Sequence, residues 1–394
     1  MSPTPPPTVP RPPLRVAIVT ESFLPQVNGV TNSVCRISEH LAAEGHQALV
    51  LAPGHGPASY AGFPVVRTPA LPLPVYRDFP MGLPVRRTMT AAIRAFAPDV
   101  LHLASPALFG ATAVDVARRW ALPTVAVFQT DLPGFAGRHG LPGARALWPL
   151  LHRVHSAVDR TLAPSSATME ALSGRGFPRL DLWRRGVDTA RFSPDHRSEE
   201  LRRELAPGGE AIVGYVGRLS RDKRVHLLGH LARLRGMRLV VVGDGPDRAR
   251  LRRLLPNAVF TGQRTGADLS RLYASLDVFV HTGADETFCQ AVQEALASGV
   301  PVVAPAAGGP VDLVTDGHNG LLYEPDSVRE LRVAVGRLAH NREVRARMAA
   351  GARPSVVHRT WRSVNEELVG HYRAVIAPSH ELAARRDRVT AGGG

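Results

Sequence analysis

Ala211-Ile212-Val213-Gly214-Tyr215-Val216-Gly217-Arg218-Leu219-Ser220-Arg221-Asp222-Lys223 is the stretch that decides the fold. Its first six residues form a short apolar run, the pattern of a strand buried on both faces, and a glycine then turns the chain into a polar segment that reads as the start of a helix. Parallel sheets covered by helices have such strands, and they bind ligands in the turns beyond the carboxyl ends. At this turn glycine lets backbone approach an anion, a helix N-terminus would offer free N–H groups, and Arg218 and Lys223 add full charges. The expectation is a pyrophosphate clamp. An isolated R-x4-K is more often a solvated basic turn. Here, however, Lys223 is the only lysine among 48 lysines and arginines, in a chain that uses arginine wherever a generic cation serves.

The same unit repeats downstream. Apolar runs at 238–242, 258–260, 277–281 and 300–304 each lead into a glycine-bearing turn, and usually on into a helix. The first of these turns is Gly243-Asp244-Gly245-Pro246, a weak motif in itself, with proline expected to open the next helix. The third run leads to Glu286-Thr287-Phe288-Cys289-Gln290-Ala291-Val292-Gln293-Glu294. Eight residues of helix rise about 12 Å, roughly the span from a transferred sugar to its nucleotide ribose, so one glutamate can serve each end. The plainer reading is two glutamates facing solvent. Further on come Ala307-Gly308-Gly309-Pro310-Val311-Asp312 and the turn Asp316-Gly317-His318-Asn319-Gly320.

Working upstream, runs at 14–20, 46–51, 99–103 and 124–128 alternate with helical patterns at 31–44 and 108–120, and Gly45 is placed to cap the first helix. A chain of 394 residues with 44% hydrophobic content exceeds one ordinary core. The expected class is α/β, with two doubly wound Rossmann-like domains facing a deep interdomain cleft. The expected boundaries are a disordered tail at 1–13, a first domain at 14–194 and a hinge at 195–209. A second domain follows at 210–357, then a C-terminal helix at 358–378 and a flexible tail at 379–394.

Composition narrows the function. The formal net charge of +14 points to anionic partners. Arg77, Arg86, Arg87, Arg94, Arg118, Arg119, Arg138, Arg145, Arg153 and Arg160 load the N-terminal half with charge, which suits an anionic membrane surface as well as it suits a mere arginine bias. No aromatic cluster accompanies the charge, so nucleic acid is not the expected partner. No run of about 18 apolar residues occurs, and no signal peptide can be read, so a cytoplasmic, peripherally membrane-associated protein is expected. Two distant cysteines, Cys35 and Cys289, fit a reducing compartment. Cys289 has no base paired with it in sequence and reads as a small residue beside a ligand. His152 and His155 lack a third metal ligand. No D-x-D tripeptide and no G-x-G-x-x-G fingerprint occurs, which argues against a manganese-dependent transferase and a dinucleotide oxidoreductase. Neither a metal nor another cofactor is expected.

The order G-R-x4-K, G-D-G-P, E-x7-E, G-V-P-V-V-A-x4-G-G and D-G-x-N-G-L-L resembles the family 4 retaining glycosyltransferases of GT-B fold. The stretches at 20–30, 102–106, 128–135, 162–165, 185–188 and 361–372 extend that resemblance nearly end to end, toward actinobacterial GDP-mannose-dependent α-mannosyltransferases of glycolipid and lipomannan synthesis. The resemblance implies that Arg218 and Lys223 neutralise the diphosphate, that Glu294 binds ribose, and that Glu286 with Thr287, Phe288, Cys289 and Gln290 holds the sugar and distal phosphate. It also implies that Gly29, Gly217, Gly243 and Asp244 line the donor site, that Gly262, Gln263 and Arg264 lie near the base, that the N-terminal domain is acceptor-binding and the second domain nucleotide-sugar-binding, and that the helix at 358–378 crosses back to the first domain. Asp131 is a candidate catalytic contact to sugar or acceptor. Many relatives carry histidine where this chain has Gln129, so no histidine role carries over there. The implied reaction moves a hexose, mannose from GDP-mannose first, to a hydroxyl of a lipid-linked acceptor such as mannosylated phosphatidylinositol or glucuronosyl diacylglycerol. The rivals are a glucosyl or other hexosyl transfer from a UDP- or ADP-sugar and, in another class, a non-catalytic protein that binds anionic lipid or nucleic acid.

Overall fold

The computed structural model describes residues 12–73, 76–83, 85–138 and 144–391. The expected tail at 1–13 lies outside the described residues as far as residue 11, as do residues 392–394. The chain divides into two compact units, one of residues 1–128, 149–161 and 369–394, the other of 129–148 and 162–368.

The first unit opens with β1 (Arg15–Thr20), α1 (Gly29–Ala43), β2 (Gln47–Pro53), β3 (Ser59–Tyr60) and β4 (Phe63–Thr68). A hairpin of β5 (Ala70–Leu73) and β6 (Tyr76–Gly82) follows, which the apolar runs do not foretell. Next come α2 (Arg86–Phe96), β7 (Val100–Ala104), α3 (Leu108–Arg119) and β8 (Thr124–Val127). The strands lie in the order β8-β7-β1-β2-β4-β3, parallel throughout except for β3 against β4. Ala17, Val19, Leu101 and Leu103 face α2 and α3 through Met89, Ile93, Phe109 and Ala113, the alternation expected of strands sandwiched by helices. Gly45 takes the left-handed conformation (φ 73°) just past α1, as its capping place requires.

The chain continues with α4 (Leu132–Arg138), α5 (Leu147–Ser156), β9 (Arg160–Ala163), α6 (Ser166–Ser173), β10 (Leu180–Leu182) and α7 (Glu199–Leu205). Residues 129–148 and 162–194, placed with the first domain by sequence, group with the second unit. Long-range bonds explain this: Ser166 N–H donates to Asp312 at 2.8 Å, Thr168 to the Thr287 carbonyl at 3.1 Å, and Gln290 to the Gly186 carbonyl at 3.1 Å.

The second sheet has the order β13-β12-β11-β14-β15-β16, all parallel. Its strands are β11 (Ala211–Val216), β12 (Met237–Val242), β13 (Val259–Gly262), β14 (Val278–Val280), β15 (Val302–Pro305) and β16 (Gly320–Tyr323). Between and after them run α8 (Arg248–Leu254), α9 (Gly266–Ala274), α10 (Gln290–Ala297), α11 (Val328–His340), α12 (Arg342–Ala352) and α13 (Trp361–Ala391). Ile212, Val240 and Phe279 pack on the α10 side with Val292 and Leu296, while Val213, Val241 and Val278 pack on the α11 side with Leu331 and Val335. Helix α13 continues to Ala391, through much of the segment whose composition suggests a flexible tail.

Candidate active site

In the second sheet β11 is flanked by β12 on one side and by β14 on the other, so the strand order reverses there. Such a switch point opens a crevice beyond the carboxyl ends of the two strands. The turn after β11 delivers Lys223 and the loop after β14 delivers Glu286, and the two meet in an ion pair with Nζ 2.6 Å from Oε1. Residues 63 positions apart thus become one unit at the place the topology reserves for a ligand.

The electrostatics follow from burial and pairing. Burial pushes the Glu286 carboxyl up, but Lys223 and His281 overcome it and hold the group well below the usual carboxylate range. Burial likewise lowers the Lys223 ammonium, and Glu286 more than reverses this, so it stays charged. For His281 burial lowers the imidazole while Cys289 and Glu286 raise it, with a net rise. Its Nε2 lies 3.2 Å from Glu286 Oε1. Sequence reasoning gave His281 no role, although its place one residue beyond a buried strand was the available signal.

Three glycine turns beside this pair are stitched backbone to backbone. Gly217 N–H donates to the Val242 carbonyl at 3.0 Å, Leu219 N–H to Asp244 at 2.9 Å, and Gly243 N–H to Gly262 at 2.8 Å. Gly243 holds φ 134°, and a Cβ on it would stand 2.0 Å from the Gly217 carbonyl oxygen, so the approach requires glycine. Gly217, Arg218, Gly243, Asp244 and Gly262 are thereby gathered at one end of the sheet. Arg218 is exposed, and its carbonyl accepts the Tyr215 hydroxyl at 3.0 Å. The Asp244 carboxylate is engaged locally, by the Gly245 N–H at 2.8 Å and Arg248 at 3.1 Å. Gln263 and Arg264 follow β13 as exposed side chains.

Three expectations need correction. The segment after Gly217 is no α-helix: it forms 3-10 turns at Arg221–Lys223 and Val225–Leu231, split by Arg224 in the left-handed region at φ 49°. Its cationic side chains, rather than a helix dipole, must supply most of the charge. Nor do Glu286 and Glu294 share a helix. Helix α10 begins at Gln290, and Cys289 before it sits at φ 76°, so Glu286 belongs to an irregular loop and the helical rise does not measure the separation. That loop is pinned by the Gly309 N–H, which donates to the Glu286 carbonyl at 2.7 Å, and Phe288 is buried beneath it. Pro246 likewise lies in a turn two residues before α8 instead of opening it.

Glu294, on α10, is pushed up to about 7 by burial, against which the Tyr273 hydroxyl and the Arg191 guanidinium pull only in part. Thr287 Oγ1 donates to the Gln129 carbonyl at 2.8 Å. The Gln129 side chain is 5% exposed and accepts from Arg185, itself buried, whose guanidinium burial lowers to about 10. The sequence gives neither Arg185 nor Arg191 a role, although Arg185 opens one of the stretches that carry the resemblance. Asp131 caps α4, accepting from the Gly134 N–H at 2.9 Å with Arg138 at 3.9 Å. In the other unit Gly29 is the exposed first residue of α1, where the Asn28 side chain already accepts from Val30 and Thr31. His155 is buried against Thr161 at 3.0 Å and lowered to about 3, a core histidine.

Among the described residues His281, Glu286 and Cys289 offer three ligand-type atoms within 4.8 Å of one another. Lys223 already occupies Glu286 Oε1, so a divalent cation there would meet an ammonium on its own ligand.

Residues 27–191 match Glycosyltransferase Family 4, and residues 196–354 match Glycosyl transferases group 1. A GDP-mannose-dependent alpha-mannosyltransferase of Mycobacterium tuberculosis is 53% identical over 371 residues, covering 92% of this chain and 97% of that protein. A Corynebacterium glutamicum protein of the same name is 45% identical over 377 residues, covering 94% and 91%. Among solved structures, Anabaena HepE in complex with UDP matches with a TM-score of 0.77 at 20% identity, over 92% of this chain and 100% of that one, a likeness of fold. With sequence family and two parallel Rossmann-like sheets in agreement, the chain belongs to the family 4 glycosyltransferases of GT-B fold.

Proposed function

We propose that the protein transfers mannose from GDP-mannose, with retention at the anomeric carbon, to a hydroxyl of a lipid-linked acceptor. The observation that carries the donor is the 53% identity, spanning 97% of the relative, to a mannosyltransferase named for GDP-mannose. In this reading Glu294 binds the ribose hydroxyls and Glu286 the sugar, while Arg218 and Lys223 face the charge that grows on the departing diphosphate. Preorganised cations at that point act on the transition state more than on the ground state, each typically worth roughly 3 kcal/mol. The acceptor hydroxyl passes its proton to the leaving phosphate as the new glycosidic bond forms. With two side-chain cations present, no divalent metal is required.

Membrane attachment is part of the proposal. Arg86, Arg87 and Arg94 are exposed on α2, whose Met89 and Ile93 are buried, and line with Arg119 of α3 a surface groove of about 770 Å³. Each basic side chain near an anionic bilayer contributes about 1 kcal/mol, enough in combination for reversible binding. No helix among the described residues is long and apolar enough to cross a membrane. The enzyme would work on the cytoplasmic leaflet, where nucleotide sugar is at hand.

The test offers GDP-mannose, UDP-glucose and ADP-glucose side by side, with lipid extract as acceptor. Labelled mannose moving into the lipid fraction, with an α-linkage by NMR, is the expected result. Preferred transfer of glucose would overturn the donor assignment.

A further inference from the structure

His281 takes no part in the scheme above, yet its ring lies against the carboxylate at the centre of that scheme. Its backbone is fixed on both sides: the N–H donates to the Val303 carbonyl at 2.8 Å and the carbonyl accepts from the Tyr323 hydroxyl at 3.1 Å. The residue is 3% exposed, and its ring lies parallel to that of Tyr215, with centroids 6.5 Å apart and 7° between the planes. A ring so confined cannot swing away. Its Nε2 stands 3.2 Å from Glu286 Oε1, and a Cβ on Gly283 would come 3.1 Å from both atoms, so glycine leaves the contact undisturbed.

Lys223 reaches the same oxygen from the turn after β11. A lysine alone is a point charge on a flexible stem and fixes no carboxylate plane. An imidazole held rigidly at ion-pair distance from the same oxygen restricts it further, and Oε2 would then be the oxygen that accepts from a ligand hydroxyl. The nucleoside is read at Glu294 and at the 262–264 turn, on other elements.

We propose that His281 is a positioning residue that orients Glu286 toward the transferred sugar and so supports turnover without contributing to nucleotide affinity. The inference rests on the reading of Glu286 as the sugar-holding carboxylate. Groups that orient a site residue from behind typically contribute about 10- to 100-fold to activity.

The test is a double-variant cycle of His281→Leu, which fills the space without a donor, and Glu286→Gln, with His281→Gln as the conservative form. Initial rates over GDP-mannose concentration are measured alongside GDP affinity by calorimetry and Tm. His281→Leu should lower kcat about tenfold or more and leave the Kd for GDP within about twofold. His281→Gln should recover most of the loss, its amide N–H standing in for Nε2. Leucine at 281 should cost little more once Glu286 is glutamine, because the two act as one unit. An unchanged kcat, an equal loss of GDP affinity, a glutamine variant as slow as leucine, or full additivity would overturn the proposal. If His281→Leu does not fold, His281→Ala takes its place in the cycle. If the wild type prefers another nucleotide sugar, the mannose reading fails by itself, and the same cycle on that sugar still decides the role of His281.

Discussion

At the scale of single residues, the two glutamates of the E-x7-E motif have opposite environments: Glu286 is kept ionised by two cationic neighbours, whereas Glu294 is raised to about 7 by burial. Folded Glu294 keeps its proton after the unfolded chain, at 4.5, has lost it, so its burial costs stability as pH rises from 4.5 to about 7. Glu21, also raised to about 7 by burial under the first turn of α3, acts in the same direction. Ribose hydroxyls are best received by the ionised carboxylate, a pure acceptor. Affinity for GDP should therefore be about tenfold weaker at pH 6 than at pH 8, and nearly flat between them in Glu294→Gln. Calorimetry across that range checks it. A wild-type affinity independent of pH would remove Glu294 from the nucleotide site.

At the scale of elements, the glycine turns proposed to hold the donor depend on backbone packed against backbone. Gly243→Ala would force a Cβ to within 2.0 Å of the Gly217 carbonyl, at a φ that alanine resists, and should cost roughly 2 kcal/mol or more. Denaturant unfolding would read this directly, and GDP affinity should fall with it. An alanine variant of wild-type stability would show that the turns can part without consequence. The same elements mark how far sequence could be read. Strands β11 and β14 were legible because each is an apolar run leading into a glycine turn, and Lys223 was legible because it is a lone lysine. The two breaks that reshape the site were not, since left-handed Arg224 and Cys289 are neither glycine nor asparagine. His281 was hidden as the apparent end of a strand. The grouping of residues 129–148 and 162–194 was equally out of reach, because it depends on contacts such as Ser166 to Asp312, 146 positions apart.

At the scale of the whole molecule, the proposed membrane attachment is assigned to the arginines of α2 and α3 that line one surface groove. Reversing Arg86, Arg87 and Arg94 to glutamate should abolish sedimentation with anionic vesicles at low salt. Wild-type binding should fade as ionic strength rises, because exposed charges are screened within roughly 8 Å at physiological salt. Equal binding to neutral vesicles would contradict an electrostatic attachment. In the proposed mechanism, side-chain cations at the switch point of the second sheet, rather than a metal, drive the departure of the nucleotide. The most direct measurement of this is the initial rate of labelled mannose transfer from GDP-mannose in excess EDTA, for the wild type and for Lys223→Ala, with Tm recorded for both. The expected result is a wild-type rate unchanged by EDTA and a rate about 100-fold or more lower in the folded variant. A wild-type rate lost to EDTA and restored by a divalent cation, or a folded Lys223→Ala at near-normal turnover, would contradict it.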